Sequence, residues 1–115
     1  MRDLSEAAAG GDRRARLALD VFVRAVRHYL GAFLVELGGL DALTFSGGIG
    51  ENSASVRFAV CAGLAGFGIE LDDERNAALA GEGRISRDGA AVSVLVLPAD
   101  EETVVARAVA SFLAL

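Results

Sequence analysis

TFSGGIGENS, residues 44–53, sets three glycines and a run of small polar side chains directly after the apolar LDALTF of residues 40–45. Glycine costs backbone entropy on folding, so a cluster of them answers to a tight turn or to a close approach by something else. The apolar run is short and rich in β-branched and aromatic residues, which predicts a buried strand. VRFAVCAGL, downstream, places Val56, Val60 and Leu64 on one helical face and predicts a helix over residues 53–64, with Asn52 or Ser53 as its N-cap. Strand, glycine turn and helix together form the first half of a parallel crossover, and that decides the class: α/β.

Working outward, residues 1–12 are small, polar and glycine-containing, and read as a loop or frayed start. From Arg13 to Leu37 the pattern is helical. Leu17, Val21, Phe22, Val26, Tyr29, Leu30, Phe33 and Leu37 recur at threes and fours, while Asp20, Arg24, Arg27, His28 and Gly31 form a narrow polar stripe. So wide an apolar face predicts a helix buried on most sides, stopped by Gly38-Gly39. Beyond residue 63 the spacing predicts a short strand over 67–71, a helix of about two turns from Asp72 or Asp73, and a brief strand over 84–86. Asp88-Gly89 is a hairpin signal leading into VSVLVL, residues 92–97, apolar enough to sit inside a sheet. Pro98 ends that strand, and Asp100, Glu101 and Glu102 open a final helix.

Bulk properties narrow the function. The 115 residues fit one domain or a piece of a larger protein. Hydrophobic residues make up 53 % of the chain, and the mean hydropathy is +0.44. Elements apolar on more than one face, as in layered α/β folds or buried interfaces, account for such values. All 11 basic residues are arginine, so the chain can build neither a lysine-dependent phosphate loop nor a Schiff base. A net charge of −5 without a basic stripe argues against a nucleic-acid partner. The start lacks the apolar stretch of a signal peptide, and the apolar run at residues 29–35 is too short to span a bilayer. The single Cys61 excludes an internal disulfide and suits the cytosol, which leads us to expect a cytoplasmic protein without a membrane partner.

Two loops leave two strands at their carboxyl ends: residues 46–52 and residues 98–102. Ligands of open α/β sheets bind beyond those ends. Gly47, Gly48 and Gly50 lack the side chains that would hold a phosphate away from the amides of a helix N-terminus. No lysine follows as in a Walker loop, however, and Ser53 stands where the dinucleotide pattern has its third glycine. Phosphate contact and a purely structural turn both fit the glycines. The acidic turn is equally double: Asp100 as cap with two dipole-favoured glutamates, or one carboxylate holding a Mg²⁺ that bridges nucleotide phosphates. His28, alone on a polar stripe, reads as structural. Cys61 reads as a small core residue.

Three segments in order, LDALTFSGGIGENSASVR, GFGIELDDERNAAL and VSVLVLPADEETVVAR, resemble the C-terminal part of the acetate kinase family over nearly the whole chain. Propionate kinase shares these segments. The resemblance implies an actin-like, Hsp70-like, sugar-kinase (ribonuclease H-like) fold, a mixed sheet with flanking helices. It implies ATP with Mg²⁺, and phosphoryl transfer to acetate or another short-chain carboxylate. Gly48, Ile49, Gly50, Glu51 and Asn52 inherit the nucleotide-contacting role, Arg2 matches the arginine of a nucleotide-contacting Asp-x-Arg segment, and Glu101 matches the magnesium-associated carboxylate. Ala99-Asp100 replaces the usual Thr-Asn. Arg57 matches a family arginine and is expected to be structural. On this reading residues 1–115 are the nucleotide-binding side, the N-terminal domain is absent, and no catalytic residue is assigned. The chain alone is expected to be inactive, and the enzyme a homodimer. The alternative is a non-catalytic nucleotide-binding or dimerisation module of the same fold.

Overall fold

The computed structural model describes residues 2–99 and 101–114, and the side chains of all these except Arg2 and Glu101. The order is α1 (Arg2–Ala9), α2 (Arg13–Leu37), β1 (Ala42–Phe45), α3 (Gly47–Asn52), α4 (Ala54–Cys61), a 3-10 turn at Ala65–Phe67, α5 (Asp73–Ala78), β2 (Gly83–Arg84), β3 (Ser93–Val96) and α6 (Glu101–Leu113).

The chain's start is a helix, where a loop was expected. Its alanines, the best helix formers, outweigh the small polar residues, and Gly11 ends the helix in the left-handed region at φ 96°. Asp12 then caps α2, its carboxylate accepting from Arg14 N at 2.9 Å and Ala15 N at 3.1 Å. At the far end Gly38, at φ 72°, stops α2 as its sequence position predicts. The helix is not buried on most sides, however. Only Ala15 and Leu30 are fully buried, while Leu17, Val21, Tyr29, Phe33, Val35 and Leu37 are each more than half exposed.

Three strands form one mixed sheet in the order β1-β3-β2. β1 runs parallel to β3 with Leu43 beside Val94 and Phe45 beside Val96, so the segment from β1 to β3 is the parallel crossover that the glycine-turn segment predicts. β2 joins β3 antiparallel through the hairpin, with Arg84 beside Leu95. The expected strand over 67–71 is a 3-10 turn followed by an isolated bridge between Leu71 and Ser86. Gly68 explains the change: at φ 82° it is left-handed, which breaks any extended run.

The core lies on the face carrying Val94 and Val96, closed by Val60, Ile69, Ile85 and Val92, all of them at most 1 % exposed. Burying side chains of this size stabilises by about 1.5–3 kcal/mol each. β1 contributes Leu43 and Phe45 to this core but exposes Ala42 and Thr44, so it is half-buried rather than buried.

Candidate functional site

β1 and β3 end side by side. Leu97 N donates to Phe45 O at 3.0 Å, which sets residues 46–52 next to residues 98–99 at one edge of the sheet. Glu51 spans the junction, its Oε2 accepting from Ala99 N at 3.4 Å. The convergence of the two strand ends, expected from the sequence, is therefore present.

The glycine segment itself is not a turn. After Ser46 a single left-handed residue, Gly47 at φ 79°, redirects the chain into α3. The asparagine at its end folds back, Asn52 Nδ2 donating to Gly48 O at 2.8 Å, and Ser53 N donates to Ile49 O at 2.9 Å. Ser53 then caps α4, its Oγ accepting from Val56 N at 3.3 Å. The three glycines have three different reasons. Gly47 needs its φ, and at Gly50 a Cβ would lie 3.4 Å from the Phe45 backbone and Cβ. At Gly48 a Cβ would meet nothing within 4 Å, and the backbone is outside the left-handed region.

Gly48, Ile49 and Asn52 line a cleft of about 690 Å³ together with Ser53, Ala54, Ser55 and, from α1, Ser5. Gly50 joins Gly48 and Ile49 in lining a second, more apolar cavity of about 510 Å³ beside α2 and β1, bordered by Phe22, Val26 and Thr44. Glu51 points to the β3 end rather than into the larger cleft. Of the predicted site residues, then, Gly48, Ile49 and Asn52 share one cleft, Gly48, Ile49 and Gly50 share the adjoining one, and Glu51 ties the two strand ends together. The side chains of Arg2 and Glu101 lie outside the described residues; their backbones belong to α1 and α6. Ser5 carries no signal in a segment whose small polar residues and glycines read as a loop; the helix that forms instead brings α1 to the cleft wall.

Arg57 is the residue whose importance the sequence understated. It is 2 % exposed, and its guanidinium donates to Gly50 O at 2.9 Å, Glu51 O at 3.1 Å, Asn76 Oδ1 at 2.8 Å and Asn76 O at 3.0 Å. Asn76 passes the link on, Nδ2 donating to Ala54 O at 2.9 Å. Burial lowers the Arg57 pKa from its ordinary value, and the ring of neutral oxygens holds the ion in place. Arg27, on the narrow polar stripe of α2, donates to Val60 O at 2.8 Å and Ala62 O at 2.7 Å at the end of α4. Cys61 is a buried core thiol, as expected, with burial pushing its pKa up to about 11.

The donors near the strand ends are carboxylate, amide, hydroxyl and backbone oxygens, the set that suits a hard cation such as Mg²⁺. Among the described residues no three His, Cys, Asp or Glu side chains cluster to form a protein-only metal cage. Mg²⁺ fits such a place through one or two carboxylates and phosphate oxygens. No helix among the described residues is long and apolar enough to cross a membrane.

The chain superposes on the crystal structure of acetate kinase from Porphyromonas gingivalis with a TM-score of 0.87 and 35 % identity, covering 97 % of this chain and 28 % of that one. A propionate kinase from Francisella tularensis superposes with a TM-score of 0.78 and 34 % identity, covering 88 % of this chain and 26 % of that one. The fold is thus of the actin-like, Hsp70-like, sugar-kinase class, an α/β arrangement with a small mixed sheet and flanking helices. The acetokinase family model matches residues 1–107, and the acetate kinase of Leifsonia xyli is 53 % identical over 108 residues, 93 % of this chain. The chain belongs to the acetokinase family. It spans 27 % of the length of the Leifsonia relative.

Proposed function

We propose that this chain is the nucleotide-side, C-terminal part of an acetate kinase, acting with the remainder of such an enzyme in ATP-dependent phosphoryl transfer to acetate or another short-chain carboxylate. The product is an acyl phosphate. The observation that carries this reading is Gly48. Its backbone does not need glycine, no neighbour excludes a Cβ, and glycine inside a helix costs about 1 kcal/mol relative to alanine. A residue that is bare at a cleft wall without a folding reason is what a ligand lying against the main chain requires.

In this reading the polyphosphate of ATP or ADP lies along Gly48 with Ile49 beneath it, while Asn52, Ser53 and Ser55 offer polar contacts around the same cleft. We assign Arg2 to the nucleotide and Glu101 to the metal on the resemblance of their sequence segments. Glu101 would hold a Mg²⁺ there, which supplies charge neutralisation for the transferred phosphate. Gly50, which shares the adjoining cavity with Gly48 and Ile49, and Glu51 at the strand ends belong to the same nucleotide side in this reading. By the same reading the enzyme is cytoplasmic and a homodimer.

Phosphoryl transfer works by positioning and by neutralising charge on several sides of the transferred group. The described lining of the cleft offers no cation. The chain alone is therefore expected to form no acetyl phosphate from ATP and acetate above the background of a Glu101→Ala control. It is nevertheless expected to bind Mg·ADP, with about 2.7 kcal/mol of added stability at a hundredfold excess over the dissociation constant. A melting temperature unmoved by millimolar Mg·ADP sinks the nucleotide assignment. The exposed apolar residues of α2 and α6 favour a second reading, a non-catalytic interface module; activity restored by adding the remainder of a relative decides against it.

A further inference from the structure

A third cavity, of about 270 Å³, lies near the hairpin corner and shares no lining residue with the cleft or with the cavity adjoining it. Its apolar lining includes three buried residues: Cys61 at the end of α4, then Ile69 and Leu71 beyond the 3-10 turn. Half-buried Leu64 lines it too, and Phe58 stands 51 % exposed although it carries a large apolar ring. Glu70, Asp73 and Arg87 add two carboxylates and one guanidinium to the same lining.

The neighbouring charges of this corner are already engaged. Asp88 accepts from both Arg75 and Arg84, Arg75 also donates to Ser86 O at 2.8 Å, and Asp72 caps α5 by accepting from Arg75 N at 3.0 Å. Among the described residues, by contrast, no hydrogen bond or ion pair engages the side chains of Glu70, Asp73 or Arg87. Glu70 and Arg87 even stand across from each other, Arg87 N donating to Glu70 O at 2.9 Å beside the bridge from Leu71 to Ser86. An exposed pair gains little by closing, so both charges stay available to a ligand. The walls themselves are fastened. Arg27 holds the carbonyls at the end of α4, Arg57 holds Asn76 of α5, and Asp72 N donates to Ile85 O at 2.8 Å. A cavity framed in this way is preformed, as small-molecule sites ordinarily are.

A guanidinium pairs with a carboxylate through two parallel hydrogen bonds. Carboxylates accept from an ammonium, and a buried apolar wall takes hydrocarbon. The volume falls below the ~300–1,000 Å³ of sites that hold drug-sized ligands, which calls for a small molecule. We infer that this cavity binds a free α-amino acid with an apolar side chain. Arg87 takes its carboxylate, Glu70 and Asp73 take its ammonium, and the wall of Phe58, Leu64, Ile69 and Leu71 takes its side chain. A fatty carboxylate would bring a negative charge beside two acids with nothing to offer them. An alkylamine would bring a cation beside Arg87 and leave that guanidinium unpaired. Only a zwitterion answers both signs. The inference is independent of the nucleotide reading, because the two places have no residue in common.

The test is a titration of the chain with L-leucine, read residue by residue in amide NMR spectra. Saturable shifts are expected at Cys61, Ile69, Glu70, Asp73 and Arg87, with a dissociation constant on the order of 0.1–1 mM, while Gly48 and Asn52 stay unmoved. Isocaproate, which lacks the ammonium, and isoamylamine, which lacks the carboxylate, should each bind at least ~10-fold more weakly, and so should glycine, which leaves the apolar wall empty. Arg87→Gln, and the double replacement Glu70→Gln with Asp73→Asn, should weaken leucine to the same extent. Glu74→Gln, next to Asp73 on α5 but outside the lining, should not. Absence of saturable shifts at ~10 mM leucine, well above the expected constant, overturns the inference. Equal affinity for any of the three probes, or for Arg87→Gln, does so as well. The same titration on a fusion in which the N-terminal stretch of the Leifsonia xyli acetate kinase precedes the chain should give the same affinity; loss of binding there shows a cavity filled by that polypeptide, and sinks the site.

Discussion

Arg57 shows how one buried side chain can fasten a short helix from its C-terminal end. Its guanidinium gathers the carbonyls of Gly50 and Glu51 at the end of α3 and both oxygens of Asn76 on α5. Arg57→Ala strands those buried acceptors, each at about 1–3 kcal/mol, and is expected to lower stability by about 3 kcal/mol or more in denaturant melts. Arg57→Lys keeps the charge but cannot reach all four oxygens. It should fold, melt lower, and bind Mg·ADP more weakly than stability loss alone explains; unchanged nucleotide affinity in that variant separates Arg57 from the site. The sequence marked Arg57 as a structural arginine one turn into a helix but not what it holds, because its partners are backbone carbonyls and one asparagine 19 residues away, which no local pattern records. Cys61 was legible, by contrast, from its place in an apolar helix. Its thiol, held neutral and 5 % exposed, should react with a thiol reagent at pH 8 only as fast as the fold opens. Rapid labelling of the native chain would contradict that burial.

Among the elements, α3 departs most from its sequence. Three glycines in six residues argue for a turn on propensity, yet only Gly47 is left-handed, and the remaining residues close a helix whose last residue bonds back to Gly48. Tertiary context, with Phe45 against Gly50 and Arg57 on the last carbonyls, overrides propensity here. The long helix α2 was legible from about Arg13 to its stop at Gly38, while its Asp12 cap emerges only from the structure. Its exposure was not legible, since periodicity tells which face is apolar and not what covers it. Two glycine replacements separate folding from function at this scale. Gly48→Ala should stabilise the chain by up to about 1 kcal/mol while weakening Mg·ADP binding, read by melting with and without nucleotide. Gly68→Ala should destabilise, because φ is 82° and the new Cβ would sit 2.9 Å from that of Ala91. Were Gly48→Ala to raise stability and leave nucleotide affinity intact, the cleft would lose its main support.

At the scale of the molecule, the Cα radius of gyration is 16.5 Å, against about 13–14 Å for a compact chain of this length. Extents of 54 × 34 × 28 Å and the bare sides of α2 and α6 describe a body spread over more surface than it can cover. Sedimentation of the chain alone should accordingly show association that strengthens with concentration and fades when the family's remaining length is fused to it; a clean monomer at high concentration would count against this. The hairpin corner and the α3 clamp also differ in what binds them. Asp88 accepts from Arg75 at 3.1 Å and from Arg84, and the hydrogen bond from Arg75 is foremost in holding its carboxyl below the usual value. Stability from that corner is present above the unfolded value near 3.9 and lost as pH falls through the lower folded one, so Asp88→Asn should flatten the acid limb of a stability–pH curve. The oxygens that hold Arg57 are carbonyls and an amide, which have no proton to gain in that range. Only strong acid, below about pH 3.9, should therefore loosen this corner, and by no more than an exposed ion pair contributes, while the clamp on α3 stays fastened.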